Sequence, residues 1–196
     1  MRFRTLVVLS LSFCSCIGAA RFGLPDLGKI VSVSDPQISP DGKSIVFVVS
    51  RPDYDLNLHR TEIALIEIST RHQHVLTHDR KGVSFPRWSP SGDRLGFLAN
   101  DSNNKPQLFV MPMKGGDPEQ ITKVISGVQQ YSWRPDGEAV AFTASDEPAT
   151  RTGQDKFDDA FEVGDNDFLV NAKPMPTHLW LVSSSGGEAR RLTSGS

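Results

Sequence analysis

Cysteine is almost absent from this chain of 196 residues: there are two, Cys14 and Cys16, and both fall within the first twenty positions. Beyond them neither a disulfide framework nor a cysteine metal site is possible. Neither sign of charge is in large excess. Twenty-one Lys and Arg meet 23 Asp and Glu, for a net charge of −2, so the chain lacks the basic footprint of a nucleic-acid binder. The Arg190-Arg191 pair does not change that and reads as part of a solvated strand or turn. No apolar run reaches the roughly 20 residues that a membrane-spanning helix needs. Sustained helical periodicity is also absent outside residues 146–175. What remains, with 38% hydrophobic and 22% charged residues, is the composition of an ordinary globular domain.

The first twenty residues depart from that average. Arg2 and Arg4 precede an apolar run over residues 6–17, and Gly18, Ala19 and Ala20 follow. Basic, apolar and small residues in this order predict a secretory signal peptide over residues 1–20, cleaved after Ala20. Phe13-Cys14-Ser15-Cys16 is a poor match to a lipid-attachment site, so soluble export, to the periplasm or medium, is the expectation. Cleavage would remove two arginines and no acids, taking the net charge from −2 to −4.

Internal repetition is the most informative feature. Asp35-Pro36-Gln37-Ile38-Ser39-Pro40-Asp41-Gly42, Phe85-Pro86-Arg87-Trp88-Ser89-Pro90-Ser91-Gly92 and Gln130-Tyr131-Ser132-Trp133-Arg134-Pro135-Asp136-Gly137 align without gaps. Their last glycines stand 50 and 45 residues apart, and an apolar strand containing Phe47, Phe97 or Phe142 follows each at the same offset. A second half-repeat ends in Leu76-Thr77, Ile121-Thr122 and Leu192-Thr193. In its last two copies Gly115-Gly116 and Gly186-Gly187 join two strands.

Each turn has a mechanism. Proline presets φ at the second position, Asp or Ser closes the turn through its side chain, and Gly supplies a positive φ. Ile45-Val46-Phe47-Val48-Val49 is apolar on both faces, which predicts a sheet covered on both sides. Propeller blades give that cover. The expectation is an all-β partial β-propeller of three four-stranded blades, about residues 30–80, 81–125 and 126–196. With three blades the ring would be open, so the chain is expected to be part of a longer protein.

These repeats resemble the blades of Tol-B-like propellers and of the N-terminal propeller of the prolyl oligopeptidase family, in its dipeptidyl-peptidase and acylaminoacyl-peptidase branches. The likeness covers roughly residues 25–196. The stretch from Asp158-Asp159-Ala160-Phe161-Glu162 to Asp165-Asn166-Asp167, with Pro176-Thr177-His178-Leu179-Trp180-Leu181-Val182, is similar to the third blade of bacterial members. The resemblance implies a serine peptidase whose triad and Gly-x-Ser-x-Gly elbow lie in a separate hydrolase domain. The elbow is missing here: Gly82-Val83-Ser84-Phe85-Pro86 lacks the second glycine and Ser183-Ser184-Ser185-Gly186 the first. His59, His72, His74, His78 and His178 fall at strand ends or loops and are expected to be solvated. No catalytic residue, metal ligand or cofactor site is therefore assigned.

The third repeat is about 26 residues longer than the second, through an insert over residues 146–175. Residues 146–167 hold eight acids against Arg151 and Lys156. Three readings are open: a solvated excursion, a substrate-facing loop, or calcium binding around Asp165-Asn166-Asp167, which lacks the turn glycine and distal Glu of a helix-loop-helix calcium site. In dipeptidyl-peptidase relatives, propeller carboxylates hold the substrate's terminal ammonium. By that resemblance Asp158, Asp159 and Glu162 are substrate-binding candidates, although the paired Glu-Glu of those enzymes is missing. Two functions follow. One is the substrate-gating propeller of an exported serine peptidase acting on oligopeptides, with the remaining blades and a hydrolase domain as partners. The other is a periplasmic, non-enzymatic interaction scaffold.

Overall fold

The computed structural model describes residues 22–147 and 175–195. Apart from a single-turn helix α1 (Leu24–Leu27), its regular structure is three antiparallel sheets of four strands, each sheet consecutive in the chain. The first holds β1 (Ser32–Ile38), β2 (Ser44–Asp53), β3 (Leu58–Glu67) and β4 (Gln73–Val75). The second holds β5 (Ser84–Trp88), β6 (Arg94–Asn100), β7 (Pro106–Pro112) and β8 (Glu119–Gln120). The third holds β9 (Gln130–Trp133), β10 (Ala139–Ser145), β11 (Thr177–Ser183) and β12 (Arg190–Arg191). One sequence repeat is one sheet, as expected of propeller blades.

The repeated turns form as their residues dictate. Gly42 N–H donates to Ser39 O at 2.8 Å, Gly92 to Ser89 O at 2.9 Å and Gly137 to Arg134 O at 2.8 Å. The three glycines sit at φ 70°, 75° and 74°, where a side chain is strained. Side chains lock each turn, though not always the expected one. Asp41 accepts the Ser39 hydroxyl and the Lys43 amide. In the second turn the carboxylate comes from Asp93, which takes both Ser89 and Ser91.

The matched Leu-Thr pairs also have a purpose. Thr77 Oγ1 accepts the Ile63 N–H at 2.9 Å, Thr122 that of Leu108 at 2.9 Å, and Thr193 that of Leu179 at 3.0 Å. One hydroxyl per blade thus fastens the fourth-strand side to the third strand, at the point where the ladder runs out.

Alternation along the strands sorts side chains between neighbouring blades. Leu95, Phe97 and Ala99 of β6, with Phe109 and Met111 of β7, pack on Val46, Ile63 and Leu65 of the first blade. Leu98, Leu108 and Val110 point the other way and pack on Val140, Phe142, Ala144 and Val182 of the third. The repeated Phe therefore always faces the preceding blade. Phe97 and Phe142 are fully buried; Phe47, with no blade before it among the described residues, is half-buried. Among the described residues only the middle blade is packed between two others; in the strand over residues 45–49, Val46, Val48 and Val49 are buried and Phe47 is half-buried.

Candidate functional site

The first strands touch in series, β1 against β5 and β5 against β9, so they line the inside of the arc. Two of them carry an irregularity at the same repeat position. Asp35 (φ 49°) and Phe85 (φ 53°) lie in the left-handed region, each followed by proline and each at a break in register with the neighbouring strand. Non-glycine residues are strained there. The bulge in β1 brings Asp35 to the second blade. Arg87 Nη1 donates to its two carboxylate oxygens at 2.9 and 2.8 Å, and Gln37 Nε2 donates to Oδ1 at 2.8 Å. The Arg87 and Asp35 side chains keep 32% and 27% exposure, enough to meet a solute on the inner side. The Tyr131 hydroxyl donates to Phe85 O at 2.8 Å. Burial pushes its phenol well above the ordinary value, with the nearby Arg87 charge opposing the shift and Asp35 adding to it.

A second polar group stands where the acidic insert leaves and rejoins the sheet. Asp146 N–H donates to Pro176 O at 2.8 Å, closing the base of the insert. The Asp146 carboxylate lies 3.1 Å from His178 Nε2 and 3.1 Å from Arg191 Nη1, and His178 Nδ1 lies 3.3 Å from Thr193 Oγ1. Beside it opens a cleft of about 920 Å³ whose lining includes Lys123, Glu147, Met175 and Trp180.

Carboxylate, imidazole and hydroxyl in a row resemble a proton relay, but the repeat argues otherwise. Thr193 is the third-blade copy of the hydroxyl latch, and Gln107 holds the position of His178 in the second blade. There Gln107 accepts from Thr122 Oγ1 at 2.9 Å with no acid beside it. His178 is a fastening residue. Its expected solvation is corrected: it lies in β11 with 5% exposure, whereas His59, His72, His74 and His78 are exposed.

Asp158, Asp159 and Glu162, the Asp165-Asn166-Asp167 run and the proposed leader over residues 1–20 lie outside the described residues. The inner-strand group was missed in the sequence because Asp35 and Arg87 are 52 positions apart and meet only across blades. Among the described residues no three His, Cys, Asp or Glu side chains converge as metal ligands, and no helix is long and apolar enough to cross a membrane.

The chain is 32% identical over 179 residues to a Bacillus subtilis protein described as an uncharacterized peptidase, YuxL, covering 86% of this chain and 27% of that one. It is 27% identical over 107 residues to dipeptidyl-peptidase 5 of Porphyromonas endodontalis, covering 55% of this chain and 15% of the relative. It thus spans about a quarter or less of these curated relatives. Among solved structures, Pyrococcus horikoshii acylaminoacyl peptidase matches with a TM-score of 0.66 at 16% identity, over 85% of this chain and 25% of that one. TolB from Acinetobacter baumannii matches at 0.54 with 21% identity, over 81% and 31%. Identities this low speak for the fold alone. Residues 27–156 match the TolB beta propeller domain, well over half of the sequence, and the chain belongs to that family.

Proposed function

We propose that this chain is the substrate-selecting propeller section of an exported serine peptidase that acts on oligopeptides. The observation that carries the reading is the 179-residue likeness to a described peptidase, joined by the likeness to dipeptidyl-peptidase 5. In this reading hydrolysis belongs to an α/β-hydrolase domain elsewhere in the protein, and the remaining blades complete the ring. The inner strands then border the passage that a peptide must enter, with Asp35, Gln37 and Arg87 as its polar lining. A peptide's terminal ammonium requires carboxylates in a partly desolvated pocket, a role for which Asp158, Asp159 and Glu162 are the candidates. The leader over residues 1–20 would deliver the protein to the periplasm or medium.

The test is made on the product of the complete gene. It should react covalently with a fluorophosphonate probe, cleave short peptide amides and leave folded proteins intact. Its mature N-terminus should be Arg21. Lack of probe labelling together with lack of peptide cleavage would overturn the peptidase reading. Those outcomes would favour the second reading, a periplasmic interaction scaffold, which the likeness to TolB supports.

A further inference from the structure

The irregular strands β1 and β5 bring one charged and one aromatic side chain to the inner side of the arc. Arg87 engages the protein through a single nitrogen: Nη1 donates to Asp35 Oδ1 and Oδ2 and, at 2.7 Å, to Pro86 O. Nε and Nη2 have no hydrogen-bond partner among the described residues. Those N–H groups form a planar fork on the remaining edge of the guanidinium, the geometry that takes a carboxylate in two parallel bonds. Beside it stands Phe85, whose ring centroid lies 5.4 Å from the guanidinium carbon and which keeps 40% exposure.

Neighbouring blades hold both residues in place. The Tyr131 hydroxyl donates to Phe85 O, and Trp133 Nε1 donates to Arg87 O at 3.1 Å. Asp35 aims the guanidinium from the other side. The left-handed φ of Phe85 persists under these contacts, and residues kept in such a conformation gather where ligands bind. Blade packing does not require the charged pair. One interface further on, Phe85 and Ser132 hold the repeat positions of Asp35 and Arg87 and cannot form an ion pair. Trp133 nevertheless makes the same bond there that Trp88 makes to Gln37 O. Both tryptophans use main-chain oxygens, so neither bond depends on the side chain at residue 87.

We propose that Arg87 and Phe85 form a carboxylate-binding subsite on the inner side of the arc. The guanidinium edge pairs with a carboxylate of a peptide, and the phenyl ring packs on an apolar part of the residue that bears it. That the ligand is a peptide rests on the peptidase reading; the carboxylate chemistry rests on these two side chains. Asp35 acts in two opposed ways, orienting the guanidinium and weakening its hold on a second carboxylate.

The test uses the product of the complete gene and three small probes followed by ligand-observed NMR: N-acetylphenylalanine, its amide, and the α-amide of N-acetylglutamate. N-acetylphenylalanine should bind on the order of tenfold more tightly than its amide, as one charge-assisted pair at a half-exposed site allows. Binding of the glutamate derivative extends the subsite to side-chain carboxylates, and its exclusion confines the subsite to the terminal one; both results support it. Arg87→Gln should abolish the preference for the acid. If an unpaired Asp35 unfolds that variant, Asp35→Asn combined with Arg87→Gln restores a neutral pair and carries the same expectation. Asp35→Asn alone should tighten N-acetylphenylalanine roughly two- to fivefold, the worth of one neighbouring charge at a part-exposed site, and leave the amide unchanged. A purely structural ion pair instead gives losses in both single variants, for acid and amide alike. Equal binding of acid and amide by the natural protein, or binding of neither, would overturn the proposal, as would a preference that survives Arg87→Gln. The peptidase reading is judged separately, by fluorophosphonate labelling and peptide cleavage, because these probes report binding whether or not the protein hydrolyses anything.

Discussion

Trp133 crosses from the third blade to the second and donates its indole N–H to the main-chain carbonyl of Arg87 at 3.1 Å. Its ring also lies 5.3 Å from the guanidinium of Arg94, which in turn reaches Gly137 O and Ser184 Oγ at 2.7 Å each. Trp133→Phe keeps an aromatic ring and removes the donor. It should cost about 1–2 kcal/mol, the usual loss when a partly buried carbonyl is left without its partner. Trp88→Phe should cost a similar amount in the other interface, and the double variant should sum the two. Urea denaturation of the three variants checks this.

The close fit behind that bond sets a second expectation. Gly96 of β6 lies under the third blade, where a Cβ would meet Tyr131 Oη at 2.9 Å, Tyr131 Cε2 at 3.0 Å and Trp133 Cζ2 at 3.3 Å. Gly96→Ala should destabilise by roughly 1–3 kcal/mol, the range for overpacking a filled interface. Gly42→Ala meets nothing within 4 Å but forces a side chain onto φ +70°, at roughly 1–2 kcal/mol. The two losses differ in kind. Adding Tyr131→Phe, which removes the nearest atom, should reduce the penalty at Gly96 and leave that at Gly42 unchanged. Equal penalties with and without the hydroxyl would assign the clash to the Tyr131 and Trp133 ring carbons instead, which lie at 3.0 and 3.3 Å.

The parts of this architecture that repeat were legible in the sequence. Pro40, Pro90 and Pro135 mark turns that the backbone makes as expected, and the Leu-Thr pairs mark strand ends fastened by a hydroxyl. What was not legible depends on how one blade meets the next. Nothing local links Asp35 to Arg87, and local preference argues against the bulge that joins them, because a residue before proline favours extended backbone. Asp35 and Phe85 both break that rule. His178 was misjudged for a related reason. It stands in register beside Ala144 of β10, and Asp146, 32 residues earlier at the end of that strand, meets its Nε2 at 3.1 Å.

That fastening group gives a third expectation. Gln107 and His178 hold one repeat position, so His178→Gln should fold with nearly unchanged stability, its amide replacing the ring nitrogens toward Thr193 and Asp146. His178→Leu should lose about 1–3 kcal/mol, since it leaves Asp146 short of a partner beside a buried apolar group. Thr193→Val should lose a similar amount by stripping the acceptor from Leu179 N–H, and Thr193→Ser much less. Thermal unfolding of the four variants decides between a fastening role and an incidental contact. A loss for the glutamine variant as large as for leucine would exclude the equivalence.

The turn carboxylates should contribute to how stability responds to acid. The Ser39 hydroxyl and then the Lys43 amide hold Asp41 below the usual carboxylate range. Ser91 and then Ser89 do the same for Asp93, as do Arg134 and then the Glu138 amide for Asp136. All three values are depressed by folding, so in acid the unfolded chain binds protons before the folded chain does. The stability these groups supply is complete above the unfolded value of about 3.9 and disappears as pH falls through the lower folded values. The urea midpoint should therefore hold down to about pH 5 and drop below about pH 4. The triple variant Asp41→Asn, Asp93→Asn, Asp136→Asn should be less stable at neutral pH and show a shallower acid limb, because groups that no longer titrate cannot contribute to the slope. Parallel midpoint curves for the two proteins would mean that other carboxylates govern the acid response.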